Sequence, residues 1–160
     1  QLQSPDCREF VLESANGDGE QLLQDVRRQE SGAVTLYQIY TYKTQVYYLF
    51  GQTEEAIRCA GLADPYEVSA VQSPHKFILR LYEALALASA ARTRALSTVE
   101  RRRLRARLRE FARFSRMSPD RFGHKLLLIQ AEMQRSQRVQ SKAIKLYDEA
   151  IDLARKRRDW

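Results

Sequence analysis

Two cysteines, four prolines, six glycines, two histidines and one tryptophan are all that this 160-residue chain holds of those residues. Two cysteines cannot build a disulfide scaffold, and Cys7 and Cys59 suit a reducing cytoplasm. So little glycine and proline argues against an all-β fold, which needs frequent turns. No run of about 18 apolar residues occurs, so no membrane-spanning helix is expected. The most apolar window, 79–91, is interrupted by Arg80 and Glu83. No secretory signal opens the chain. It begins at Gln1 rather than Met, which reads as a piece of a longer, cytoplasmic protein. Catalytic signatures are lacking too. There is no phosphate-binding Gly-x-x-x-x-Gly-Lys-Ser/Thr loop, and no kinase glycine loop, His-Arg-Asp or Asp-Phe-Gly triplet. The expectation is therefore no enzymatic activity, cofactor or metal in this segment.

What is present is a foldable core and an uneven charge. The chain is 44% hydrophobic, enough for one domain and too much for a disordered tail. Its net charge is +7, and arginine outnumbers lysine 21 to 6. Residues 92–116 hold ten arginines and two acids, a net of 10 − 2 = +8. The rest of the chain is 17 − 18 = −1.

Hydrophobic spacing is helical throughout, and no strand is expected. Residues 1–32 read as a lead-in with one or two short helices and a loop at 16–19. Residues 33–160 read as one helical domain. Leu36, Tyr40, Tyr47 and Phe50 form a helical stripe that Gly51 ends, and Thr53 is expected to cap the next helix. Asp64-Pro65 breaks that helix, leaving 66–72 as a loop or single turn. Ser73-Pro74 restarts a helix by the cap-then-proline rule, and its stripe runs through Phe77, Leu81, Ala84, Ala88 and Ala91. Ser97 to Glu100 is a capping box opening an arginine-rich helix whose apolar line is Leu104, Leu108, Phe111 and Phe114. Ser118-Pro119 starts another helix, and 139–158 is the last. The expected organisation is three antiparallel hairpins, near 33–64, 74–117 and 119–158. Each alone exposes an apolar face, so they should stack. Gly51 stands five residues before Ala56, as Arg138 stands five before Ala143, so the first and third turns correspond. The fold expected is all-α, a stack of antiparallel helix hairpins.

These residues resemble degenerate tetratricopeptide repeats, on the phrases Tyr47 to Ala56 and Ala143 to Ile151. The stretch Ser118-Pro119-Asp120-Arg121-Phe122-Gly123-His124-Lys125-Leu126-Leu127-Leu128-Ile129-Gln130-Ala131-Glu132, with Tyr40 to Ala56, is similar to the helical repeat region of large bacterial multidomain sensor kinases. Those proteins join a serine/threonine-kinase-like domain, an AAA-type ATPase, often a GAF domain, and a histidine kinase. The resemblance implies a right-handed tetratricopeptide-like array. It also implies a non-catalytic scaffold, in two-component signal transduction, that links or regulates the ATPase and sensor kinase domains.

Two groups of residues are candidates for binding a protein partner. Tyr40 and Tyr47, with Lys43 and Gln45, lie in a tyrosine-rich helix, since tyrosine suits interfaces. The same spacing fits packing between helices. Arg102, Arg105, Arg109 and Arg113, extended by Arg101 and Arg116, lie on the arginine-rich helix at 97–116. They fit an acidic protein surface or, in the alternative reading of this segment as a nucleic-acid-binding helical module, a phosphate backbone. No aromatic platform interleaves with them, which disfavours single-stranded nucleic acid. His75 and His124 each open a His-Lys-x-x-Leu-x-x-x-Glu stretch ending at Glu83 and Glu132, 49 residues apart. Two histidines do not make a ligand set, and both read as capping or packing residues. Cys59 reads as a small buried hydrophobe.

Overall fold

The structure, a computed structural model, describes residues 25–26, 32–70 and 73–156. Most of these are helical, with no strand among them. Six α-helices follow in order: α1 Gly32–Leu49, α2 Thr53–Ala63, α3 His75–Ala90, α4 Thr98–Met117, α5 Pro119–Ser136 and α6 Gln140–Lys156. No helix among the described residues is long and apolar enough to cross a membrane. The expected lead-in helices, the loop at 16–19 and Cys7 lie outside the described residues. Of residues 1–32 only Asp25, Val26 and Gly32 are described: Asp25 and Val26 are helical, Val26 is buried, and Gly32 opens α1.

Local chemistry explains most boundaries, with corrections. Thr53 lies inside α2; Gln52 precedes it and makes no side-chain cap bond. The span after Pro65 is no loop, because Asp64–Ala70 continues α2 as a 3-10 helix. Proline fits such a first turn, where its missing N–H costs nothing. Ser73 Oγ accepts the His75 N–H at 3.3 Å, but Pro74 rather than Ser73 stands at the N-cap of α3, with no side-chain cap bond. The Ser97–Glu100 capping box forms in both directions. Pro119 takes the first turn of α5, but Ser118 makes no side-chain cap bond.

Two turns share one backbone solution. Gly51 has φ of 75° and Arg138 has φ of 61°. At each, the amide of the following residue reaches back five positions, Gln52 to Tyr47 (2.8 Å) and Val139 to Gln134 (3.0 Å). The Gly51 and Arg138 amides reach back three, to Tyr48 and Arg135. This is the left-handed helix-ending motif that glycine adopts freely and arginine adopts under strain.

Packing follows chain order. α1 packs on α2 and α3, α3 on α4 and α5, and α5 on α6; α2 also touches α3, and α4 touches α5. The central α3 is buried at Leu79, Leu81 and Glu83 to Ala88. Its alanines at 84, 86, 88 and 90 have almost no exposed surface, which lets neighbouring helices approach closely. One core cluster joins α3, α4 and α5 through Leu81, Leu85, Leu104, Phe111 and Ile129. Another joins α1, α2 and α3 through Leu36, Tyr37, Ala60, Ala63 and Leu79. The buried polar side chains Thr41, Thr44, Glu83 and Glu132 all lie on α1, α3 or α5. The two threonines satisfy themselves on the carbonyls of Tyr37 and Tyr40, each at 2.7 Å.

Candidate functional site

Nine of the ten arginines of 92–116 fall into three sets around α4: Arg103 and Arg107 on its inner side, Arg94 before its start, and six on its outer side. On the inner side, Glu83 of α3 is 2% exposed and accepts from Arg103 Nε at 2.5 Å and Arg107 Nε at 2.6 Å. Arg103 extends to Asp64 at 2.8 and 3.1 Å. Arg80 bonds both Glu67 and Glu110, and Lys76 pairs with Glu67 at 3.0 Å. Four cations thus face four anions, a balance of zero. The acids that the arginine helix was expected to seek on a neighbour are, for these arginines, supplied by the same chain.

Arg94 forms a second junction. Its guanidinium spans Glu54 of α2 (2.7 and 2.8 Å) and Glu100 of α4 (2.9 and 2.6 Å). Glu100 also accepts the Ser97 N–H at 2.7 Å. Chiefly the Arg94 guanidinium, then the Ser97 amide, holds the Glu100 carboxyl down to about 2. Because the folded value is depressed, the stability it supplies is complete above pH about 4.5 and fades as pH falls towards about 2. Glu100→Gln is therefore expected to lower stability by about 1 kcal/mol at neutral pH, after allowance for solvent screening. Thermal melts of parent and variant should converge near pH 2; a gap that persists there would mean the charge is not the cause.

The outer side differs. Arg101, Arg102, Arg105, Arg109, Arg113 and Arg116 are all exposed. At helical pitch they fall within an arc of about 120° and along roughly 22 Å of axis. That arc holds no acid; only Thr98 and Ala112 share it. Among the described residues none of the six has an ion-pair partner. Arg101 reaches Thr98 Oγ1 at 3.3 Å and Arg113 lies 5.4 Å over the Phe114 ring. Arg102, Arg105, Arg109 and Arg113 are thus brought together on one open surface.

The tyrosine candidates are placed otherwise. Tyr40 and Tyr47 are buried, 4% and 7% exposed, and Tyr40 stacks on Tyr66 with centroids 6.2 Å apart. Packing closes both to solvent because α1 is covered by α2 and α3. Lys43 is half-buried beside them. The tyrosines that do reach the surface of α1 are Tyr42, exposed, and Tyr48, half-buried against Tyr82 at 5.7 Å. Tyr42 hydroxyl meets His75 Nε2 at 2.9 Å, and Ser73 Oγ meets Nδ1 at 2.8 Å. His75 therefore sits in a capping network. Cys59 is a free, buried thiol whose pKa burial raises. No cluster of three or more potential metal ligands occurs among the described residues.

Sequence reading missed the buried acids. The signal was present: the repeated His-Lys-x-x-Leu-x-x-x-Glu stretch ends at Glu83 in one copy and Glu132 in the other, and both carboxylates are buried. Glu132 accepts from the Tyr147 hydroxyl at 2.5 Å, tying α6 to α5.

Comparison with known proteins finds no matching family model, no similar curated protein and no similar solved structure.

Proposed function

We propose that this chain is a non-catalytic protein-interaction scaffold, a right-handed tetratricopeptide-like stack of three antiparallel helix hairpins. The packing order carries the reading: α1, α3 and α5 rest on one another in sequence, with α2, α4 and α6 added alongside. A link of three residues between tightly packed helices, as at 50–52 and 137–139, suits an antiparallel pair. The shared left-handed turn at Gly51 and Arg138 suits a repeated unit. Stacked hairpins make a stiff body that holds its two ends at a set spacing. The resemblance to the repeat region of sensor kinases supports a cytoplasmic setting between ATPase and sensor domains.

Stiffness is the testable core of this reading. Dyes placed at Arg58→Cys in α2 and Asp152→Cys in α6, with Cys7→Ser and Cys59→Ala, should give one narrow distance distribution by single-molecule energy transfer. That distribution should hold from low to high salt. A broad distribution would mean the hairpins move independently, and the scaffold reading would fall.

A further inference from the structure

Beside the arginine arc runs an apolar seam. Val99 and Met117, 66% and 77% exposed, stand at opposite ends of α4, with exposed Ala106 between them. At helical pitch the three lie within about 20° of one another, directly alongside Arg113 and Arg102. The outer face of α4 is therefore two-part: an acid-free row of six guanidinium groups and a parallel line of apolar side chains.

We propose that this face docks an acidic amphipathic helix of a protein partner; the inference rests on the protein-interaction reading above. Each element of the face selects that occupant. Arginine, rather than lysine, supplies every cation on α4, and its planar fork pairs with carboxylates two bonds at a time. The arginines recur at three- and four-residue steps, so a second helix with acids at the same steps meets them in register. The seam is the deciding feature. Phosphates gain nothing from Val99 and Met117, whereas a helix with an apolar edge buries both. Within 92–116 the arginines without an ion-pair partner among the described residues are concentrated on this face of α4, because Arg103 and Arg107 are paired with Asp64, Glu83 and Glu110, and Arg94 with Glu54 and Glu100. A nucleic-acid duplex, whose backbone curves away from a straight helix, would leave part of the row unused.

The probe is a capped peptide of about 18 residues, long enough at helical rise to cover the stripe, with Glu at i, i+4 steps and Leu along one edge. A scrambled peptide of equal composition and a short DNA duplex serve as competitors for the same reading. Fluorescence anisotropy at about 50 mM salt should show the ordered peptide binding at least about fivefold tighter than the scrambled one, and weakening at about 500 mM. Arg102→Ala with Arg109→Ala and Arg113→Ala should weaken it at least about tenfold. Val99→Ser with Met117→Ser should weaken the peptide about three- to fivefold and leave the duplex unchanged. All five side chains are exposed, so circular dichroism should show the helices intact. Equal binding of ordered and scrambled peptides, or no binding at low salt, would overturn the proposal while leaving the scaffold reading to its own distance test. Tighter binding of the duplex, indifferent to Val99 and Met117, would overturn it in favour of a nucleic-acid partner.

Discussion

Replacing Glu83 with alanine is expected to destabilise the fold by about 3–5 kcal/mol, the cost of stripping a buried ion pair of one partner. The Glu83 side chain is 2% exposed and bonded by two guanidinium groups, while Arg103 and Arg107 are themselves only 28% and 16% exposed. Without the carboxylate, two cations remain at the joint between α3 and α4 with their nearest central anion gone. Asp64 holds only the outer end of Arg103, and Glu110 lies 3.7 Å from Arg107 while also bonding Arg80. The surroundings cannot compensate. Tyr37 sits beside this network with its hydroxyl buried and unbonded, and burial, with Glu67 nearby, pushes that phenol up to about 12. Urea unfolding of the variant reads the loss. The control is Glu83→Leu with Arg103→Met and Arg107→Leu, which removes charge and counter-charge together and should cost far less, since apolar packing replaces a desolvated network. If Glu83→Ala alone costs under about 1 kcal/mol, water screens the pair and the joint is held by packing instead.

That network shows why the fold was easier to read than the surface. Apolar periodicity places a stripe on one side of a helix, and most of each stripe is buried, as at Leu36 and Tyr40, Ala84 and Ala88, and Leu104 and Phe111; Phe50 and Phe77, expected on the same stripes, lie where those stripes run out to the surface, 52% and 36% exposed. Capping chemistry placed α4 to the residue, because Ser97 and Glu100 satisfy one another locally. The run after Pro65 was harder. A 3-10 turn has no long apolar period, and its order comes from Tyr66 stacking on Tyr40 and Glu67 pairing with Lys76 and Arg80, contacts distant in sequence. The described turns were legible where backbone geometry demanded a residue type, as at Gly51. Arg138 adopts the same conformation without glycine, so only its position relative to Ala143 revealed it.

The candidate surface was legible in part for a different reason. Charge counting isolated the arginine helix, and periodicity identified the outer row. Neither could divide the arginines into bound and free, because their partners arrive from three other elements: Glu54 from α2, Asp64 from the 3-10 helix, Glu83 from α3. A composition of 10 − 2 in residues 92–116 therefore overstates the positive surface. The tyrosines failed in the opposite direction. Tyr40 and Tyr47 satisfy an interface pattern and a core pattern equally, and only the cover that α2 and α3 provide decides between them.

Phe111→Ala is expected to cost about 3–5 kcal/mol, in the range of large cavities left by a buried ring. Phe111 has no exposed surface and is the largest fully buried side chain where α3, α4 and α5 meet. Its ring lies 6.2 Å from Phe114 and 6.3 Å from Phe122. Those two are 5.1 Å apart, and Phe77 closes the quartet at 5.2 Å from Phe114 and 5.4 Å from Phe122. Edge-on geometry at Phe77–Phe114 and Phe111–Phe114 sets each ring's position by its neighbours, so the hole cannot fill without disturbing three helices. Phe111→Leu keeps most of the volume and should cost under about 1.5 kcal/mol. Phe114→Ala, at a half-buried position, should fall between the two. The loss at Phe111 should be independent of salt, whereas that at Glu83 should shrink as salt rises, because one joint is a void and the other an unscreened charge. Equal losses for Phe111→Ala and Phe111→Leu in urea titrations would mean the other three rings close over the gap. The quartet would then hold α4 to its neighbours as a pliable cluster, not as a fixed arrangement keyed on one ring.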